Sequence, residues 1–196
     1  DVLLLQSMLR ITYTSPRTMH RITRVLQKVA LVQDPRGVTS ADIALLLRDY
    51  SRNKVKATYI DGEPPQGFEI SRIVFTYLDY LLLDSSPSQN FKFQFRNSIE
   101  HFYPQNPNGG PTQTPVSENR LNLLGNLALV SVGANSRFSN NPPEAKALTY
   151  KKDIKTLSPK LQRMAEITDR EGWGDAQVQA HHEDMVALLQ ADIQKK

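Results

Sequence analysis

Phe91-Lys92-Phe93-Gln94-Phe95-Arg96-Asn97-Ser98-Ile99-Glu100-His101-Phe102-Tyr103-Pro104-Gln105 is the stretch on which the fold turns. Phe91, Phe93 and Phe95 alternate with Lys92, Gln94 and Arg96, a period of two that predicts a strand or extended segment. It runs directly into Ile99-Glu100-His101, and Pro104 stops it because proline has no N–H for a ladder. Neighbouring side chains on extended backbone point to opposite sides. At a strand end that twists into a loop, a carboxylate and an imidazole can nonetheless reach the same space.

Working outward, residues 104–119 are rich in Pro, Asn, Gly and Thr and read as a long loop. Leu127-Ala128-Leu129-Val130 is a second strand, and Pro142 opens a helix through about Lys152. Upstream, Ser15-Pro16 predicts a helix start, with Met19, Ile22, Val25, Leu26 and Val29 at helical spacing. Arg17, Arg21, Arg24 and Lys28 share another face of it. Ser40 caps a second helix to about Tyr50, and Asp61-Gly62-Glu63-Pro64-Pro65 is a turn. From about Glu69 to Leu83, Ile70, Ile73, Val74, Tyr77, Leu78 and Leu81 form a wide apolar stripe. Downstream, Ser158-Pro159 repeats the cap signal, and a last helix follows Gly172-Trp173-Gly174. The expected fold is mainly α, a helical bundle flanking a two-stranded sheet. A helical part at 1–85 precedes a strand–loop–strand–helix unit at 86–155, and helices at 156–196 pack on the same domain.

Composition sets bounds. The 196 residues can bury a real core, and no apolar run reaches membrane-spanning length. There is no cysteine, so disulfides and thiolate zinc sites are excluded, and a cytoplasmic home is compatible. Lys and Arg number 24 against 20 Asp and Glu, a mild excess that permits a polyanionic partner without requiring one. The chain starts at Asp1 in an apolar stretch, which suggests a portion of a longer protein. No Gly-rich phosphate loop is present, so nucleotide hydrolysis is expected to lie elsewhere.

Chemistry is concentrated after residue 99. The acid–imidazole pair Glu100-His101 is followed by Gly125-Asn126-Leu127 and then Ala134-Asn135-Ser136. Taken singly, each piece has an ordinary reading: a surface pair, a turn signal, and in Asn140-Asn141-Pro142 a helix cap. The basic stripe alone reads as a solvated face, His181-His182-Glu183-Asp184 as another, and Trp173 as a packing anchor. Their joint order is more informative. Hydrolysing a phosphodiester takes a base for water, neutralisation of charge on phosphoryl oxygens, and stabilisation of the leaving oxygen. A neutral imidazole suits the first task. A hard cation such as Mg²⁺ or Mn²⁺, held by carboxylate and amide oxygens, suits the others.

Glu100-His101-Phe102-Tyr103-Pro104-Gln105, Leu124-Gly125-Asn126-Leu127-Ala128-Leu129 and Asn135-Ser136-Arg137-Phe138-Ser139-Asn140 together resemble the HNH (His-Me finger) nuclease domain at the C-terminal end of GmrSD-type, modification-dependent restriction proteins. The three-part motif covers about residues 97–146. The resemblance implies a ββα-metal insert in the helical fold and a DNA endonuclease in bacterial cytoplasmic defence against foreign DNA. It implies a separate N-terminal sensor or NTPase part, and one Mg²⁺ or Mn²⁺. It makes His101 the general base, Glu100 a metal ligand, Asn126 the brace that orients His101, and Asn135 or Asn140 the second ligand. Lys146 matches the family's downstream lysine at a phosphate, and Arg137 would also meet DNA. Two positions depart from the pattern: Pro143 replaces a common aromatic and Ala128 a threonine, both read as packing positions. A helical DNA-binding or protein-interaction module with an inert finger, working through Arg17, Arg21, Arg24 and Lys28, is the alternative.

Overall fold

The computed structural model describes residues 1–85, 91–108, 115–149, 151 and 158–195. Helices α1 (Val2–Thr12), α2 (His20–Ala30), α3 (Ser40–Val55) and α4 (Arg72–Ser85) form the first half. They are followed by β1 (Ser98–His101), α5 (Glu118–Leu121), β2 (Leu127–Val130), α6 (Val132–Phe138), α7 (Pro143–Thr149), α8 (Pro159–Glu171) and α9 (Asp175–Ile193). The strands pair antiparallel, Ile99 opposite Leu129 and His101 opposite Leu127. A mostly helical chain with one small antiparallel sheet is what the sequence predicts.

That sheet divides two apolar clusters, because a strand sends alternate side chains to opposite faces. Ile99, Leu127 and Leu129 join a larger cluster built on α1, α3 and α4. Ala128 and Val130 join a smaller one with Phe102, Leu161, Met164 and Trp173. Helix α4 is the central post. Its stripe is buried, and so are Phe75, Tyr80 and Leu82 off the stripe, since α1, α3, α8, α9 and β2 all pack on it.

Several elements differ from expectation. Helix α1 occupies the opening apolar stretch and buries Leu5, Met8 and Leu9. Ser15-Pro16 starts only a short 3-10 turn, Pro16–Thr18, and α2 begins afresh at His20. Thr39 caps α3 rather than Ser40. Its side chain accepts from Asp42 N and the Asp42 carboxylate accepts from Thr39 N, a capping box. Helix α6 appears where a loop is expected; Val132, Gly133 and Asn135 are poor helix formers, but Ser131 caps it through Ala134 N. The break at 86–88, the loop centre at 109–114 and the helix end at Lys152 lie outside the described residues.

The alternating phenylalanines form no strand. Phe91 is buried and Phe95 exposed, while Arg96 turns inward to meet Asp79 on α4 at 3.0 Å. Asp79 also accepts from Ser158 Oγ at 2.7 Å and Lys160 N at 3.1 Å, so one buried carboxylate ties the extended segment and the start of α8 to α4. An arginine drawn into that network holds the segment away from a partner strand. Lys160 reaches on to Leu127 O at 2.6 Å, fastening α8 to β2.

Helix α9 crosses the turn Leu124–Asn126 that feeds β2. The approach demands glycine: a Cβ at Gly125 would fall 2.3 Å from Val178 O and 2.7 Å from His182 Cβ. Neither contact is the yielding end of a side chain. Gly125→Ala is expected to lower the unfolding free energy by about 2–3 kcal/mol, the scale of core overpacking. Urea denaturation reads this directly; an unchanged midpoint would show that α9 does not seat on this turn.

Candidate active site

The two arms of the site meet at Asn126, whose side chain is fully buried. Its Oδ1 accepts from Tyr103 N at 2.9 Å and Trp173 Nε1 at 3.2 Å. Its Nδ2 donates to Tyr103 O at 3.0 Å and Leu121 O at 2.9 Å. Both amide donors and both acceptor lone pairs are therefore satisfied. The backbone adds Phe102 N to Asn126 O at 2.8 Å, which continues the ladder one step past His101. Trp173 packs edge-on against Phe102, centroids 5.1 Å apart, so the glycine-flanked indole is a packing anchor.

At the strand end, His101 Nε2 lies 2.9 Å from Asn122 Oδ1. A carbonyl oxygen can only accept, so this bond places the proton on Nε2 and leaves the Nδ1 lone pair available. Burial pushes the imidazole below its usual pKa; the Asn122 bond opposes that, and the nearby Lys146 charge reinforces it. The ring is thus held neutral. Asn122 is fixed in turn, its carbonyl accepting from Gly67 N at 2.9 Å. Gly67 has φ +58, and the 3-10 turn Gly67–Glu69 sets the Phe68 ring edge-on to His101 at 5.3 Å.

His101 and Glu100 border a cleft of about 390 Å³, which Asn135 and Asn140 also line. Helix α6 packs on β1 and carries Asn135. Past it, Ser139 takes φ +44, a backbone conformation rare outside glycine, and turns the chain so that Asn140 returns to the cleft. The Asn140 carbonyl accepts from Asn108 N at 2.8 Å, closing one rim.

The remaining sequence candidates lie elsewhere or turn another way. Lys146, expected at a phosphate, is 0% exposed; its Nζ donates to Glu100 Oε1 at 2.6 Å, His101 O at 2.7 Å and Phe102 O at 3.1 Å. Three donors meet three acceptors, and the ammonium anchors the strand end from within. Burial pushes the Glu100 carboxyl up and the Lys146 amine down, and each one's opposite charge pulls it back. Asn126 braces the loop; the residue touching His101 is Asn122. Arg137 is exposed on α6 and does not line the cleft. The four basic residues expected on one face divide, because Arg21 folds inward to Tyr13 O while Arg17, Arg24 and Lys28 stay exposed. Arg24 and Lys28 share their depression with Asp42 and Asp49.

Oxygen donors converge on the cleft, one carboxylate and two amides, which is the chemistry of a hard divalent cation. Among the described residues no group of three or more His, Cys, Asp or Glu forms a metal cluster. Asn122 had no signal in the sequence, being one of several asparagines around Leu121-Asn122-Leu123.

From residue 49 to residue 188 the sequence matches the family described as GmrSD restriction endonucleases, C-terminal domain. The chain belongs to that family. The GmrSD C-terminal match spans α4, both strands and most of α9, so it includes the whole cleft. No curated protein and no solved structure matches. Among the described residues no helix is long and apolar enough to cross a membrane.

The GmrSD C-terminal fold keeps a second histidine behind the site. His181, expected on a solvated face, is buried and donates from Nδ1 to Gly125 O at 2.8 Å. Burial drives its pKa well below the ordinary value, with the Lys160 charge adding to the effect and the Gly125 bond opposing it. A group with a depressed folded pKa binds fewer protons folded than unfolded, so its effect on stability is absent above the unfolded pKa and grows as pH falls below it. Between pH 7.5 and 5.5 it should remove up to about 1.4 kcal/mol. Urea melts of wild type and His181→Asn, whose amide can still reach Gly125, should differ in pH slope by that amount; parallel slopes would show that the ring titrates normally.

Proposed function

We propose that this domain is a metal-dependent DNA endonuclease of the HNH type, with β1, β2 and α6 as its ββα (His-Me) finger. The observation that carries the reading is the neutral His101, held through Nε2 by Asn122 at the edge of a cleft lined by Glu100, Asn135 and Asn140. Water in the cleft gives its proton to His101 Nδ1 as its oxygen bonds to phosphorus. The P–O3′ bond breaks on the opposite side, its electron pair stays on O3′, and that oxygen takes a proton from solvent. The ends are 5′-phosphate and 3′-hydroxyl. A Mg²⁺ or Mn²⁺ ion held by Glu100 with Asn135 or Asn140 would supply positive charge at the phosphoryl and leaving oxygens. Lys146 holds Glu100 and the two carbonyls beside it in place, so its part is to fix the strand end. Asn126 keeps the loop after His101 against the turn before β2.

Family membership extends the proposal to restriction of foreign DNA in a bacterial cytoplasm, with a sensor or NTPase part N-terminal to this segment. Residues 1–85 would be a helical platform, 86–155 the finger, and 156–196 its supporting helices. Exposed Arg17, Arg24, Lys28 and Arg137 are candidates for backbone contacts with DNA. The Glu100–Lys146 pair favours a second reading, an inert finger in a DNA-binding module, because it already neutralises the carboxylate.

Plasmid nicking with Mg²⁺ or Mn²⁺ separates the two. His101→Ala should lose about 10²- to 10⁴-fold in rate, the range for removing a general base. Asn122→Ala should lose less, about tenfold, because it frees the ring and its tautomer without removing it. Equal nicking by wild type and His101→Ala would end the mechanism. Salt-sensitive binding with no cleavage in either metal would favour the inert module.

A further inference from the structure

Phe68 is an apolar ring left 65% exposed, yet it is held at a fixed place. The turn Gly67–Glu69 fixes its backbone, and Gly67 N is bonded to the same Asn122 that orients His101. Arg72 lies one helical turn further on, at the first residue of α4. It is exposed, and its guanidinium donates from Nη2 to Asn97 O at 2.9 Å, just before β1. Both side chains line the cleft with His101, and Arg72 is the one cation among the described lining residues.

We propose that Phe68 and Arg72 form a nucleotide subsite beside His101. The Phe68 ring stacks on a base flanking the cleaved phosphate, and Arg72 holds an adjacent phosphate. A base can stack on a protein ring only when it has left its neighbour in the duplex. The preferred substrate of this cleft is therefore single-stranded or locally unstacked DNA. The inference builds on the nuclease reading, but its binding arm does not depend on cleavage.

The test uses the whole chain and single-stranded oligonucleotides carrying one 2-aminopurine, moved stepwise along the strand, in EDTA. Wild type should quench the fluorescence at a defined position. Phe68→Ala should lose that quenching, and Phe68→Tyr, which keeps the ring, should retain it. Arg72→Gln should lower the salt dependence of binding by about one counterion. With Mg²⁺ or Mn²⁺, Phe68→Ala should raise KM about tenfold, more than it lowers kcat, with the pH profile unmoved. Cleavage of single strands should exceed that of paired duplex. Quenching that survives Phe68→Ala overturns the subsite, as does a shifted pH profile at constant KM, which would mean that the ring acts only through His101. If wild type quenches and cleaves nothing, the nuclease reading fails while the subsite stands.

Discussion

A single buried amide, Asn126, holds the two halves of the site together. The residues after β1 and the residues before β2 are both irregular, and neither half has a ladder of its own beyond the short sheet. Buried backbone groups left unpaired would cost about 1–3 kcal/mol each. Asn126 answers three of them, at Tyr103 N, Tyr103 O and Leu121 O, and its fourth bond goes to the Trp173 indole. The indole is thereby fixed between Phe102 and His181, and His181 reaches back to Gly125 beside Asn126. Removing this amide would release contacts from β1, the turn before β2 and α9 at once.

Buried charge follows the same pattern on both sides of the sheet. Asp79 and Arg96, with Ser158 and the Lys160 N–H, join α4 to the segment before β1 and to α8. Lys146 joins α7 to the end of β1. Such pairs seldom stabilise more than apolar packing would, but losing one partner strands the other at a cost of about 3–5 kcal/mol. Their effect here is to specify register. Arg52 and Tyr77 meeting at Asp192 do the same for α3, α4 and α9.

Periodicity made the large elements legible. The stripe on α4, the Leu127–Val130 run and the cap at Ser158 state their structure locally, and the structure has them there. Where tertiary bonds override local pattern, the sequence misleads. Phe91 to Arg96 alternates like a strand but ends on a buried ion pair, and His181 looks solvated until Gly125 lets α9 come close. The site was legible in part. The order Glu100-His101, Asn126, Asn135 names residues that gather around one cleft, with Asn126 behind it. Asn122, Phe68 and Arg72 were not legible, because each gains its place from a contact distant in sequence. Lys146 was legible as a position and not as a contact: a lysine reads as a surface charge until three oxygens enclose it.

Helix α9 and Trp173 also bear on how portable the site is. The catalytic candidates lie within about fifty residues, which looks like a unit that could be lifted onto another scaffold. Its inner wall, however, is supplied by residues 173–182, on the far side of α8 in the chain. A transplant confined to the strands and α6 would arrive without the surface that keeps its loops in register. The smallest inheritable piece is therefore the finger together with its C-terminal helices, and exchange between relatives by recombination would have to carry both.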